Sequence, residues 1–382
     1  MEFTMPNKEL ADLVQVASRG INSRSPLPVL KNLLIRVQGT GISITGSDLD
    51  TTITVHGAAD VADTGAVTVE AGLLANLVGK MPAGHIKVKQ TEAGRVSVSC
   101  GKSRYKLSTL SAEDYPKTEK VTEGREIVLP SESLRQSIKA AVVSAAGSQD
   151  ESRAVMTGIQ VSLTSDRLTM VSTDGRRLSR RSVAISGPEE PASVIVPAKA
   201  LQEVGRYLDT AQTVRMMLGK NQASFTTDGL SVTTRLLEGR FPDAEKVIPT
   251  VFSRAVRIGR EDFLSAIKRC LIVAQEKRSP NLLRLTFDSG ELTIRANTPD
   301  LGEVEESLAV MVDDTSIAPL TIGFNGKYLA DGLAVMDCDE VQFDLQEETK
   351  SAILRPLGDA AYDYVVMPVK LRDFVPAEEV AA

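Results

Sequence analysis

The chain is poor in the residues that carry most covalent and redox chemistry. Tryptophan is absent, histidine occurs 2 times and cysteine 3 times in 382 residues. Cys100, Cys270 and Cys338 lie far apart, with no Cys-x-x-Cys pair and no Cys/His spacing of a metal site. They read as buried, reduced thiols. His56 and His85 adjoin no serine or cysteine nucleophile in a recognisable motif. There is no Gly-x-Gly-x-x-Gly loop, no P-loop and no metal-carboxylate cluster of polymerase or nuclease type. Aromatic residues make up only 4%, which weighs against a surface that reads single strands by stacking on their bases. No apolar run is long enough to cross a bilayer, and the opening Met1-Glu2-Phe3-Thr4 lacks the basic and apolar regions of a signal peptide. No membrane association, metal, cofactor or catalytic residue is therefore expected.

What is present is an ordinary globular balance, 42% hydrophobic and 25% charged. The length suits two or three domains, each able to bury its own core. The formal net charge of -6 disfavours a simple DNA-binding protein. It does not exclude one, because the field depends on where the charges sit as well as on their sum.

The most informative feature is an internal repeat. An amphipathic helix comes first, with Leu10, Leu13, Val14 and Ala17 on one face and Lys8, Asp12, Gln15 and Arg19 on the other. Strands follow at 33–37, 42–45 and 51–55. After Val67-Thr68-Val69 come a short helix at 73–80 and strands at 86–89, 96–100 and 105–109. The order recurs with a helix at 131–145, strands at 158–163, 167–172 and 194–196, a short helix at 198–208, and strands at 214–218, 222–227 and 231–236. It recurs again with a helix at 260–274, strands at 282–287, 291–296 and 320–322, a short helix at 327–336, and strands at 341–345, 351–356 and 364–367. The helix landmarks Leu13, Ile138 and Ile267, and the short-helix landmarks Leu73, Leu201 and Tyr328, all recur at intervals of roughly 125–130 residues. Units of that size are repeated domains and not solenoid repeats. The fold class is α+β, with antiparallel sheets on one side and two helices per domain on the other. The expected boundaries are 1–120, 127–249 and 253–371, with polar joins near 117–125 and 250–257. Sheet edges in such domains invite continuation from one domain to the next, within the chain and between chains.

Several segments, in this order and spacing, carry a resemblance across the whole chain through Leu371. They are Pro28-Val29-Leu30-Lys31-Asn32-Leu33-Leu34, Thr45-Gly46-Ser47-Asp48-Leu49-Asp50, Ser108-Thr109-Leu110, Ala112-Glu113-Asp114-Tyr115-Pro116, Ser172-Thr173-Asp174-Gly175-Arg176-Arg177-Leu178, Gly239-Arg240-Phe241-Pro242-Asp243 and Val365-Val366-Met367-Pro368-Val369. The sequence resembles the bacterial DNA polymerase III beta subunit family, the sliding clamps. The resemblance implies three repeated DNA-clamp domains and a head-to-tail homodimer that closes a six-domain ring, helices lining the hole. Double-stranded DNA would pass through it without sequence-specific contact. The partners implied are the polymerase III catalytic subunit, the clamp loader, and other polymerases and repair proteins that carry a clamp-binding peptide. The setting implied is cytoplasmic, at the nucleoid during replication. The chain would supply processivity and no catalysis.

Three sites follow from that resemblance. A lining for DNA needs cations on the solvent faces of the helices, and Lys8, Arg19, Arg135, Lys139, Lys268, Arg269, Lys80, Lys199, Arg206 and Lys327 are available, partly offset by Asp12, Glu132, Glu203 and Asp331. Periodicity alone reads these equally well as ordinary solvated faces; phosphate contacts carry no sequence information and suit sliding. The resemblance singles out Arg24, Lys80, Gln149, Arg153 and Lys199. For the dimer contact, Lys102, Arg104 and Lys106 alternate with Tyr105 and Leu107 along one strand. The third domain offers Asp300, Glu303, Glu305 and Glu306, with Leu271 and Ile272 on a helix. Opposite charges at opposite ends suit a head-to-tail ring; solvated charge runs are the plain alternative. The partner-peptide pocket is carried over as Met156, Thr173, Gly175, Arg176, Arg177, Leu178, Pro242, Lys246, Val247, Val365, Met367, Pro368 and Val369, apolar walls with an adaptable methionine. Arg176 stands where the family often has His, and Lys246 where it often has Arg, so peptide preference is open to change. Family chains commonly stop near Leu371, and residues 372–382 are expected to be a disordered tail.

Two other classes compete. An enzyme would use Asp48 with Asp50, or Asp174 beside Arg176 and Arg177, although carboxylates in strand-end turns usually cap backbone donors. A static scaffold of repeated α+β domains would not be held topologically on DNA.

Overall fold

A computed structural model describes residues 1–371 apart from 23–24, 26, 93, 118–120, 148–150, 209–211, 276–280 and 313–317. The first repeat comprises β1 (Glu2–Pro6), α1 (Asn7–Ser18), β2 (Asn32–Gln38), β3 (Gly41–Ser47), β4 (Thr51–Ala58), β5 (Asp60–Asp63), β6 (Gly65–Glu70), α2 (Ala71–Lys80), β7 (His85–Glu92), β8 (Arg95–Cys100) and β9 (Ser103–Leu110). The second comprises β10 (Arg125–Pro130), α3 (Ser131–Val142), β11 (Gly158–Leu163), β12 (Arg167–Thr173), β13 (Arg177–Ala184), β14 (Ala192–Pro197), α4 (Ala198–Tyr207), β15 (Thr213–Leu218), β16 (Gln222–Thr226) and β17 (Leu230–Arg235). The third comprises β18 (Arg254–Gly259), α5 (Arg260–Val273), β19 (Leu282–Asp288), β20 (Glu291–Thr298), β21 (Gly302–Ala309), β22 (Met311–Val312), β23 (Leu320–Asn325), α6 (Gly326–Val335), β24 (Glu340–Leu345), β25 (Ala352–Pro356) and β26 (Tyr362–Val366). The three repeats and their two helices each match the sequence reading. The reading passes over the strand that opens each repeat (β1, β10, β18) and also β5, β13, β21 and β22.

The chain folds into two compact units, Met1–Arg135 with Ser186–Leu237, and Gln136–Ile185 with Glu238–Ala382. The middle repeat is thereby divided, its second half belonging to the first unit and most of its first half to the second. In the first unit one sheet runs β10-β15-β16-β17-β4-β3-β2-β6-β9-β8-β7-β1-β5. Its two repeats join where β17 pairs antiparallel with β4, from Leu230 opposite Val55 to Thr234 opposite Thr51. In the second unit β11-β12-β13-β26-β25-β24-β18-β22 form one sheet and β21-β20-β19-β23 another. The repeats join there by β13 pairing with β26, Arg177 opposite Val366 through Arg181 opposite Tyr362. The expected continuation from domain to domain within the chain is thus made of backbone hydrogen bonds between strand edges.

The helices bury the faces that their periodicity marks. Leu10, Val14 and Ala17 of α1, Leu134, Ile138 and Ala141 of α3, and Phe263, Leu264 and Ile267 of α5 are all buried. In the second unit Phe263, Phe287 and Phe324 surround Phe343 with ring centroids 6.1, 5.9 and 5.6 Å away, the tilted and edge-on geometry that aromatic quadrupoles favour.

Candidate functional site

The turn between β12 and β13 is held by side-chain-to-backbone hydrogen bonds. Asp174 Oδ1 accepts from the backbone N–H of Arg176 at 2.9 Å and of Arg177 at 3.1 Å. Thr173 Oγ1 accepts from the N–H of Gly175 at 3.0 Å and donates to the carbonyl of Arg177 at 2.7 Å. Gly175 has φ +84°, a conformation that costs a side-chain-bearing residue free energy. The Arg177 guanidinium is held on every side. Its Nε donates to Asp174 Oδ2 at 3.0 Å and its Nη1 to Asp331 Oδ2 at 2.8 Å and the Tyr364 hydroxyl at 3.4 Å, and it lies 4.4 Å over the Tyr328 ring. Burial acts against its charge, but Tyr364, Asp331 and Asp174 outweigh burial and raise its pKa. Burial pushes the Tyr364 hydroxyl pKa upward, so it stays a neutral donor, here to the carbonyl of Tyr328 at 2.7 Å.

This turn gathers most of the expected pocket residues. Leu178 sits opposite both Thr173 and Val365 in the sheet, and the N–H of Met367 donates to the carbonyl of Arg176 at 2.9 Å. The N–H of Val369 donates to the carbonyl of Gly323 at 2.8 Å, which fixes the stretch through Pro368. Leu178 and Val365 are core residues, 3% and 1% exposed, whereas Met367 and Val247 keep 47% and 45% of their surface accessible. The accessible apolar area thus comes from the last two. Pro242, Lys246 and Val247 lie on a segment tethered to β13, since Arg180 Nη1 donates to Glu245 Oε1 at 2.7 Å. Lys246 itself is exposed, 3.3 Å from Asp243. Arg176 is exposed and half-buried Met156 belongs to the helical turn Glu151–Thr157. Arg153 on that turn donates from Nη1 to the carbonyl of Asp174 at 2.9 Å.

The helix cations divide into two groups. Arg19 lies 3.4 Å from Glu203 and 5.5 Å from the centroid of the Tyr207 ring, Arg206 pairs with Glu203 at 2.6 Å, Arg135 with Glu132 at 2.7 Å, and Arg269 doubly with Glu306. Lys327 is 3.7 Å from Asp331. Lys8, Lys80, Lys139, Lys199 and Lys268 are exposed. Among the described residues none of these five lysines has an acidic partner within salt-bridge distance. Arg24 and Gln149 lie outside the described residues, as does the 372–382 tail.

Among the described residues, open edges of β9 and β21 carry the charged residues expected at the dimer contact. Among the described residues, β9 pairs along Ser103–Ser108 only with β8; its other neighbour, β6, meets it at Thr109 and Leu110. Arg104 and Lys106 are exposed, Leu107 is buried on the opposite face, and Tyr105 remains 43% exposed. Lys102 sits exposed in the preceding turn. At the end of the four-stranded sheet, β21 pairs, among the described residues, only with β20. Alternation puts Glu303 and Glu305 on its exposed face, while Val304 and Leu308 pack on the core. Glu306 shares the inward side and is taken up by Arg269 of α5, so the acidic run is divided between two faces. Glu305 pairs with Arg295. Asp300 and Ile272 are exposed, Ile272 at 67%, while Leu271 packs against the core.

Three family models match the chain in order: the N-terminal domain of the DNA polymerase III beta subunit over residues 1–119, its central domain over 128–243 and its C-terminal domain over 245–370. The chain belongs to the DNA polymerase III beta subunit family. A beta sliding clamp of Pseudomonas putida is 33% identical over 374 residues, covering 97% of this chain and 100% of the relative. Solved sliding clamps of Pseudomonas aeruginosa and Bartonella birtlesii, both bound to griselimycin, superpose with TM-scores of 0.90 at 32% and 28% identity, over 97% of this chain and 100% of each.

Within this beta subunit fold, the sequence reading assigns no site to Leu73 of α2 and Leu110 at the end of β9, 49% and 43% exposed. The reading uses Leu73 as a repeat landmark and Leu110 as part of a family segment; the pairing of β6 with β9 places Leu110 opposite Thr68. It also passes over Asp331, Tyr328 and Tyr364 as partners of Arg177. Asp331 and Tyr328 lie one turn apart on α6, a spacing that marks a shared helix face but not its target. Among the described residues no cluster of three His, Cys, Asp or Glu side chains is placed to hold a metal ion, and no helix is long and apolar enough to cross a membrane.

Proposed function

We propose that this chain is a replicative sliding clamp: two copies close head to tail around duplex DNA, slide along it and tether the polymerase. The observation that carries the reading is the ordered match of three clamp-domain models to residues 1–370 of a chain that covers its relatives completely. The domains are 1–120, 127–249 and 253–371. The chain itself is a non-catalytic accessory subunit that works in the cytoplasm at the nucleoid.

The unpaired lysines Lys80 and Lys199, with Arg153, Arg24 and Gln149, are the proposed contacts to DNA phosphates. The exposure of Lys80 and Lys199 on helices of an acidic protein supports a local positive lining. The open edge of β9 and the open edge of β21 are the proposed dimer contact. Both strands have 8 residues, Arg104 and Lys106 face solvent on one, Glu303 and Glu305 on the other. Leu73, Leu110, Tyr105 and Ile272 supply apolar surface beside them. The turn Thr173–Leu178 with Val247 and Val365–Val369 is the proposed pocket for partner peptides, and griselimycin is its proposed ligand here.

The test is retention on DNA. Loaded by a clamp loader onto nicked circular DNA, the protein stays with the circle through gel filtration at high salt and is lost once the circle is cut. Loss from intact circles at the same rate would refute encirclement and favour ordinary charge-driven binding.

A further inference from the structure

Asp331 lies outside the residues that the family resemblance assigns to the pocket, yet it is the carboxylate through which α6, beside the Tyr328 ring, holds the pocket turn. Arg177 Nη1 donates to its Oδ2 at 2.8 Å, and Lys327, one helical turn earlier, approaches its Oδ1 at 3.7 Å. One carboxylate therefore serves two cations through different oxygens. The two cations are not equivalent. The Arg177 side chain is 11% exposed and its second carboxylate, Asp174, fixes the backbone of Arg176 and Arg177, whereas Lys327 is 62% exposed on α6, among the helix cations that the sequence makes available to a DNA lining. Arg153, another proposed DNA contact, reaches the same turn through the carbonyl of Asp174.

We propose that Asp331 is a positioning residue for the partner-peptide site, and that through Lys327 it couples peptide affinity to phosphate bound on α6. The inference rests on the clamp reading above. A phosphate that engages Lys327 withdraws a competitor from Asp331. The carboxylate then acts on Arg177 alone, its hydrogen bond strengthens, and the turn that presents Arg176, Arg177 and Leu178 is held more firmly. Peptide binding gains because less ordering remains to be done at the moment of association. Linkage makes the effect reciprocal: a bound peptide that fixes Arg177 against Asp331 frees Lys327 for phosphate. The arrangement suits a clamp that should recruit partners when it is on DNA.

The test titrates griselimycin into the full-length protein by calorimetry at low salt, with and without a short linear duplex. The duplex tightens binding to the wild type by about fivefold. Asp331→Asn weakens it by about tenfold, the loss of one charge-assisted hydrogen bond, and abolishes the response to duplex. Lys327→Gln, a surface change without risk to folding, gives the duplex-level affinity in the absence of duplex and no further response, while the remaining helix lysines still hold the DNA. A merely structural role for Asp331 would lower affinity but leave the duplex response in place. The proposal is overturned by wild-type affinity that ignores duplex, by Asp331→Asn binding as well as wild type, or by Lys327→Gln that still responds. A wild-type protein that does not take griselimycin at all removes the pocket reading itself.

Discussion

Gly332 shows how closely α6 must lie on β26 for the pocket turn to be held. A Cβ at this position would stand 2.4 Å from Tyr364 Cε1, inside any tolerable contact. The ring is buried in the core and cannot turn away, because its hydroxyl is committed to Tyr328 and Arg177. Gly332→Ala therefore forces α6 outward, costing about 1–3 kcal/mol as overpacking does, and draws Asp331 from Arg177. Denaturant unfolding should show the loss, and griselimycin affinity should fall with it; an unchanged midpoint would mean that α6 shifts freely. Residues of this kind were unevenly legible. The sequence reading takes Asp48 and Asp174 as caps of strand-end turns, and both do this, Asp48 Oδ1 accepting from Asp50 at 3.1 Å and Thr51 at 2.7 Å. Such capping is local, so a short window of sequence contains the whole interaction. The tie between Asp331 and Arg177 spans two repeats, and no local pattern encodes it.

Among the elements, the junction of β13 with β26 is reinforced by a row of alternating charge across four strands. Arg180 of β13 donates to Asp363 of β26 at 2.9 Å, Arg355 of β25 to the other oxygen of Asp363 at 2.7 Å, and Arg355 again to Asp344 of β24 at 2.7 Å. The row ends at Glu245, on the segment that carries Val247. Asp363 and Asp344 are buried, while the two arginines keep about a quarter of their surface, 25% and 26%. Asp363→Asn leaves both arginines short of their shared partner. The cost should be about 2–4 kcal/mol, below that of a fully buried pair because solvent still reaches the guanidinium groups. Denaturant unfolding measures it, and a change under about 0.5 kcal/mol would mark the row as an ordinary surface feature. The same scale explains which elements the sequence hides. The opening strands β1, β10 and β18 are short, and their partners β7, β15 and β24 lie far along the chain. They read as lead-ins to amphipathic helices, whose 3.6-residue period is the stronger signal. The helices themselves were legible to within a few residues, since each buries one continuous stripe.

For the whole molecule, the repeat pattern implies more edges than one chain can close. Inside each unit the repeats join by pairing β17 with β4 and β13 with β26, while β9 and β21 are among the strands that, in the described residues, keep an edge without a strand partner over much of their length. Open edges on a protein that stays unaggregated must be defended or paired, and the charges along these two are complementary instead of alike. If β9 of one copy meets β21 of another, Arg104 and Lys106 should be interchangeable in sign with Glu303 and Glu305. Arg104→Glu with Lys106→Glu should lower the mass seen by light scattering from about 82 kDa, twice the 41.0 kDa chain, towards that of a single chain. Glu303→Arg with Glu305→Arg should do the same. Combining all four changes should restore the double mass, which general destabilisation cannot do. Restoration should weaken as salt is raised, because the pairs sit at an exposed edge where screening reaches them. Four-fold variants that remain single chains at low salt would place the contact elsewhere, and the apolar group of Leu73, Tyr105, Leu110 and Ile272 would then have to account for any association on its own.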